Sequence, residues 1–165
     1  MLRSNAELEL SDLIRPLSLE ALEYFASGVI PSAEGKSYQR PTSGKFIRIG
    51  GVMLIGTTMD YGLPGGGEDG ERKFLLHINM LQHLRHNETE LFATVRDLEL
   101  DNHICKGVMS DAGSSFIRVD ADEKPYELIL GSNSYDFGRA DEAGRAQTIE
   151  IAQQLVGPAV HVRAD

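Results

Sequence analysis

The chain is poor in the residues that staple or cross-link small proteins. It has one cysteine in 165 residues, Cys105, and no tryptophan, and aromatic residues make up only 7% of it. One cysteine excludes an internal disulfide framework and a thiolate-rich zinc site. No apolar run reaches the roughly 18 residues that a membrane-spanning helix requires. The first residues, Met1 to Glu7, lack the apolar stretch of a secretory leader and already include an acid. Gly-x-Ser-x-Gly, His-Glu-x-x-His and Gly-x-Gly-x-x-Gly are all missing, so no local signature of a hydrolase, a zinc protease or a dinucleotide enzyme is present. A soluble, cytoplasmic protein folding as one domain over 1–165 is the expectation, with no cofactor, no metal and no catalytic residue nominated.

Positive charge is also scarce. Sixteen Lys and Arg face 25 Asp and Glu, for a net charge of −9. Residues 1–82 hold 8 basic and 10 acidic side chains, and residues 83–165 hold 8 and 15. A field of that sign opposes duplex nucleic acid and anionic membranes, and it suits a partner with a basic surface. Aromatics interleaved with cations, as single-stranded nucleic acid requires, are absent. One stretch reverses the trend. From Gly35 to Met59 there is no acid, while Lys36, Arg40, Lys45 and Arg48 supply four cations. Those four are the candidate anion-binding residues, since Lys and Arg bring charge and glycine-rich backbone brings N–H groups. A solvated loop leading into a strand explains the same run more simply.

Helical signals open and close the chain. Ser4 and Glu7 have capping-box spacing, and Leu10, Leu13, Ile14 and Leu17 recur at helical intervals up to Pro16. Ser18 is placed to cap a second helix running to Ala26, with Gly28 as its exit. The helical segment therefore covers 1–28, followed by a connection over 29–44 and a strand-rich core with its C-terminal helix over 45–165. Lys45 to Thr58 reads as extended, with Ile47 and Ile49 on one face, Phe46 and Arg48 on the other, and Gly50-Gly51 dividing it. Residues 61–70 form a glycine-dense loop that predicts a long, mobile connection between strands. Residues 72–80 fit strand alternation and a helical face equally well, and strand is chosen for the first half. Asn87 to Leu98 is similarly ambiguous.

Farther along, 114–119 and 126–130 read as strands joined by the hairpin 120–125. Asp141 to Val156 reads as a helix with Ala146, Ile149, Ala152 and Leu155 or Val156 on its apolar face, stopped by Gly157-Pro158. Helices, then a meander of strands, then a capping helix predict an α+β fold built on a mostly antiparallel curved sheet or barrel. A pleckstrin-homology-like barrel is one architecture satisfying that order.

Local chemistry is thin. Gly35-Lys36-Ser37 ends like a P-loop, but Ile30 stands where the motif needs glycine. Asp120 and Asp122 begin like a calcium loop, but Lys124 and Pro125 occupy its fifth and sixth positions. His83 and His86 have a spacing zinc can use without a third ligand to complete it, and His103 with Cys105 lacks an orienting third group. The functional expectation is a small non-enzymatic module that binds another protein, with homo-oligomerisation left open. The alternatives are a pocket protein or small enzyme for an anionic ligand and, behind it, a His/acid metal-binding protein.

Overall fold

A computed structural model describes residues 13–27, 30–31, 38–39, 42–57, 77–95, 110–131 and 140–165. Its centre is a six-stranded mixed sheet that does not close into a barrel. In chain order the elements are β1 (Ile14–Pro16), α1 (Leu19–Ser27), β2 (Ile30–Pro31), β3 (Tyr38–Gln39), β4 (Ser43–Ile49) and β5 (Val52–Thr57). They continue with α2 (His77–His86), α3 (Thr89–Val95), β6 (Asp111–Val119), β7 (Pro125–Leu130), α4 (Glu142–Val156) and β8 (His161–Ala164). The sheet runs β1-β5-β4-β6-β7-β8, while β2 and β3 pair separately. The fold class is α+β. The closed barrel is not formed, because the order ends on two outer strands, β1 and β8, that do not meet.

Pro16 explains the first departure from the sequence reading. Ile14 to Leu17 was expected to finish a helix, yet Ile14–Pro16 is a strand antiparallel to β5. Proline biases its predecessor away from helical backbone and lacks the N–H that a central strand must donate. An outer strand next to a helix accommodates both restrictions. The backbone resumes pairing immediately, with the Leu17 N–H donating to the Met53 carbonyl at 3.0 Å. Ser18 then caps α1 as expected, its hydroxyl accepting from the Ala21 N–H at 3.0 Å.

The glycine pair in 45–58 does divide the segment into two strands. Gly50 takes φ of 58°, which a two-residue hairpin loop requires at its first central position, and Ile49 pairs with Val52 to close it. Gly44 has a different reason to be glycine. A side chain there would run into the Gly56 carbonyl oxygen on β5.

The connection expected over 29–44 contains the short β2–β3 ladder, and β4 begins at Ser43 rather than Lys45. The choice between strand and helix beyond residue 76 falls to helix, for His77–His86 and Thr89–Val95. The first half of 72–80, the loop 61–70 and the capping box at Ser4 lie outside the described residues.

Alternation along the strands sends side chains into two cores. Phe46, Met53, Ile55, Ile117, Leu128 and Leu130 pack under α1 and α4 with Leu22, Phe25, Ala152 and Val156. Ile14, Ile47, Ile49, Leu54 and Ala112 face the other way and pack with Met80, Leu81 and Leu84 of α2 and Val95 of α3. Each fully buried aliphatic side chain contributes about 1.5–3 kcal/mol.

The C-terminus closes the first of these cores. Asp141 caps α4 by accepting from the Gly144 N–H at 2.7 Å, and Gly157 ends it at φ of 81°. The apolar face is shifted from the expected one. Thr148, Ala152 and Val156 are buried and Ile149 half-buried, whereas Ala146 and Leu155 are exposed. The sequence reading placed no strand after the helix, but β8 returns parallel to β7, which makes the sheet mixed. A parallel return needs a crossover, and α4 supplies it. Gln153 fixes the geometry of that return. Its amide donates to the Gly157 and Val160 carbonyls, both at 2.8 Å, and its oxygen accepts from the Val162 N–H at 3.0 Å.

Candidate functional site

Of the four cations nominated from sequence, only Lys45 and Arg48 are among the described residues. Lys36 and Arg40 lie outside them. Lys45 shares the α2 side of β4 with Ile47, while Arg48 points to the α4 side with Phe46, so the sheet separates the two.

Arg48 is only 3% exposed and is held by the protein itself. Its Nε donates to the Thr148 hydroxyl at 2.8 Å, Nη1 to the Gly50 carbonyl at 2.9 Å and Nη2 to the Gly144 carbonyl at 3.3 Å. The Thr148 hydroxyl donates in turn to Asp111 Oδ2 at 2.7 Å, and Arg145 Nη1 reaches the same oxygen at 3.1 Å. Asp111 Oδ1 accepts from the Ala112 N–H at 2.9 Å, and Arg145 Nη2 donates to the Leu130 carbonyl. Burial holds the Arg48 pKa below its ordinary value, and the Asp111 carboxylate partly offsets this. The network ties β4, β6 and α4 together. It is a structural lock, because its donors are turned inward.

The histidine pair is split by burial. His83 is buried, with Nε2 at 3.4 Å from Glu88 Oε1, whereas His86 is exposed. Among the described residues no three His, Cys, Asp or Glu side chains form a group able to hold a metal ion. His103 and Cys105 lie outside the described residues. Asp120 does what a hairpin acid does, its Oδ1 accepting from the Asp122 and Lys124 N–H groups at 2.8 and 3.0 Å.

The feature left open is the far side of β6 and β7. On that side α2 and α3 pack with β1, β5, β4 and the start of β6, and among the described residues no helix packs beyond Ala112. Phe116 is 44% exposed there and Tyr126 42%. With Thr42, Arg118, Val119 and Ile129 they line a shallow groove of about 420 Å³. Register places Phe116 directly opposite Ile129 and Arg118 opposite Glu127. The pairing then jumps from Arg118–Glu127 to Val119–Pro125, leaving Tyr126 as the extra residue of a bulge. Bulges re-aim side chains, and this one brings the Tyr126 ring to the groove within 6.0 Å of the Arg118 guanidinium carbon. Glu127 links the arginines of this face, at 3.6 Å from Arg118 and 3.3 Å from Arg163. At the hairpin end Asp120, Asp122 and Glu123 are all exposed.

Sequence reasoning placed both strands but missed Phe116 and Tyr126 as surface residues. One signal was available: Phe116 alternates in phase with Ser114 and Arg118 rather than with Ile117 and Val119. Tyr126 had no such signal, because a register shift is not written in hydropathy. No described helix is long and apolar enough to cross a membrane. Neither a family model, nor a curated protein, nor a solved structure matches this chain.

Proposed function

We propose that this protein is a small binding module, and that the open face of β6 and β7 is where it receives another protein. The supporting observation is the pair of half-exposed rings, Phe116 and Tyr126, in one groove on a sheet whose other face is covered. Adjacent exposed aromatics on rigid strands supply contact area at low entropic cost, which is why such residues dominate binding energetics. The partner is argued from charge. Three exposed carboxylates, Asp120, Asp122 and Glu123, follow the groove residue Val119 in the hairpin, and the chain carries −9 overall. A segment with an apolar or aromatic anchor flanked by Lys or Arg complements that arrangement. Arg118 and Arg163 share the one carboxylate of Glu127, and with Lys124 counted the hairpin and the face together still carry −1. A cytoplasmic setting belongs to the same proposal, supported by a chain whose single cysteine leaves it no internal disulfide.

A displayed peptide library tests the reading without a known partner. Selection on the full chain, with counter-selection on the Phe116→Ala/Tyr126→Ala variant, is expected to enrich peptides with an apolar anchor beside basic residues. Their binding should weaken with added salt. Failure to enrich any peptide that distinguishes the two proteins overturns the proposal. Concentration-dependent self-association that the double substitution abolishes overturns it in favour of a second copy of this chain.

A further inference from the structure

Arg15 is in an unusual position for a surface-edge arginine. It stands opposite Ile55 in the β1–β5 register, which puts it on the α1 side of the sheet. The Tyr24 ring of α1 lies against its guanidinium, with the carbon 4.2 Å from the ring centroid. Stacking of this kind fixes the plane of the fork and leaves its edge free to donate. Its Nε is buried and has no hydrogen-bond partner. No described residue forms an ion pair with it either. Arg15 lines a pocket of about 260 Å³ together with Pro16, Ser18, Glu20, Ala21 and Tyr24. The Ser18 oxygen accepts from the Ala21 N–H at 3.0 Å, so its hydroxyl hydrogen is available as a further donor.

We propose that this pocket binds a small carboxylate, with the stacked Arg15 fork as its principal donor and Ser18 as its second. No described residue accepts a hydrogen bond from the half-buried Arg15 guanidinium, and a planar carboxylate fits two donors of a guanidinium edge. Glu20 selects between anions. It lines the same pocket without pairing with Arg15, and a nearby negative charge opposes a phosphate dianion more than a carboxylate monoanion. The remainder of the ligand would lie against Pro16 and Ala21. The site is independent of the proposed protein-binding face, since Arg15 is on the α1 side of the sheet and Phe116 on the other, three strands away.

The Arg15 Nε–H resonance senses a change at the other end of its guanidinium. In a ¹H–¹⁵N titration of the full chain with acetate, benzoate or inorganic phosphate at constant ionic strength, the carboxylates should shift that resonance saturably. The backbone amides of Ser18 and Ala21 should shift with the same midpoint. Arg15→Gln should abolish the shift of those amides. Arg15→Lys keeps the charge without the fork and should weaken binding about tenfold, the loss expected for one charge-assisted hydrogen bond. Glu20→Gln should tighten it. Non-saturating shifts, or Ser18 and Ala21 responses that survive in Arg15→Gln, overturn the site. Phosphate binding more tightly than either carboxylate overturns the ligand class.

Discussion

β6 and β7 present two faces to two different environments. Toward α1 and α4 they send Ile117, Leu128 and Leu130, each at most 3% exposed. Toward the other side they send Phe116, Arg118 and Ile129, and the bulge adds Tyr126. The same backbone thus carries an interior on one side and an aromatic surface on the other. The lesson is that apolar character alone does not say what a strand residue is for. Which face it is on does, and that depends on where the helices land. Had α2 and α3 extended past Ala112, Phe116 would be one more core residue.

That contrast can be broken most severely at the polar lock beneath α4. Asp111→Ala strips the acceptor from Thr148 and Arg145 and leaves buried guanidinium charge without its counter-ion. It should cost about 3–5 kcal/mol, read as a lower urea midpoint. Leu128→Ala empties a fully buried site on the covered face and should cost about 2–5 kcal/mol in the same measurement. Thr148→Val preserves shape but removes the hydroxyl between Arg48 and Asp111, and should cost about 1–3 kcal/mol. Phe116→Ala sharpens the comparison from the opposite side. On the open face it should cost no more than about 1 kcal/mol, because it removes the cross-strand pair with Ile129 but neither a core contact nor a hydrogen bond. A loss at Phe116 equal to that at Leu128 would mean that the groove is part of the core.

Much of this architecture was legible in local patterns. The Ser18 cap, the Gly50-Gly51 division, the 120–125 hairpin and the Asp141–Gly157 helix are each specified by a few neighbouring residues, and each appears. What escaped was set by distant contacts. Ile14–Pro16 has helical spacing behind it, but pairing with β5 and the restriction imposed by Pro16 make it extended. His161 to Ala164 is too short to announce a strand, and becomes one because β7 offers an edge and Gln153 holds the turn. Arg48 was singled out for its charge, yet apart from the Gly50 carbonyl the groups that hold it are 63 to 100 residues away in Asp111, Gly144 and Thr148, beyond the reach of any motif. The same holds for Arg15 and Tyr24, whose stacking depends on how α1 lies across β1.

The central claim is that Phe116 and Tyr126 are contact residues rather than packing residues. Its most direct test is the affinity of the wild-type chain and of Phe116→Ala/Tyr126→Ala for one selected peptide, measured by calorimetry at fixed salt. A loss of about 30-fold or more, as expected for a binding hot spot worth about 2 kcal/mol, with the urea midpoint lowered far less than by Leu128→Ala, is the predicted result. Equal affinities in the two proteins would contradict it.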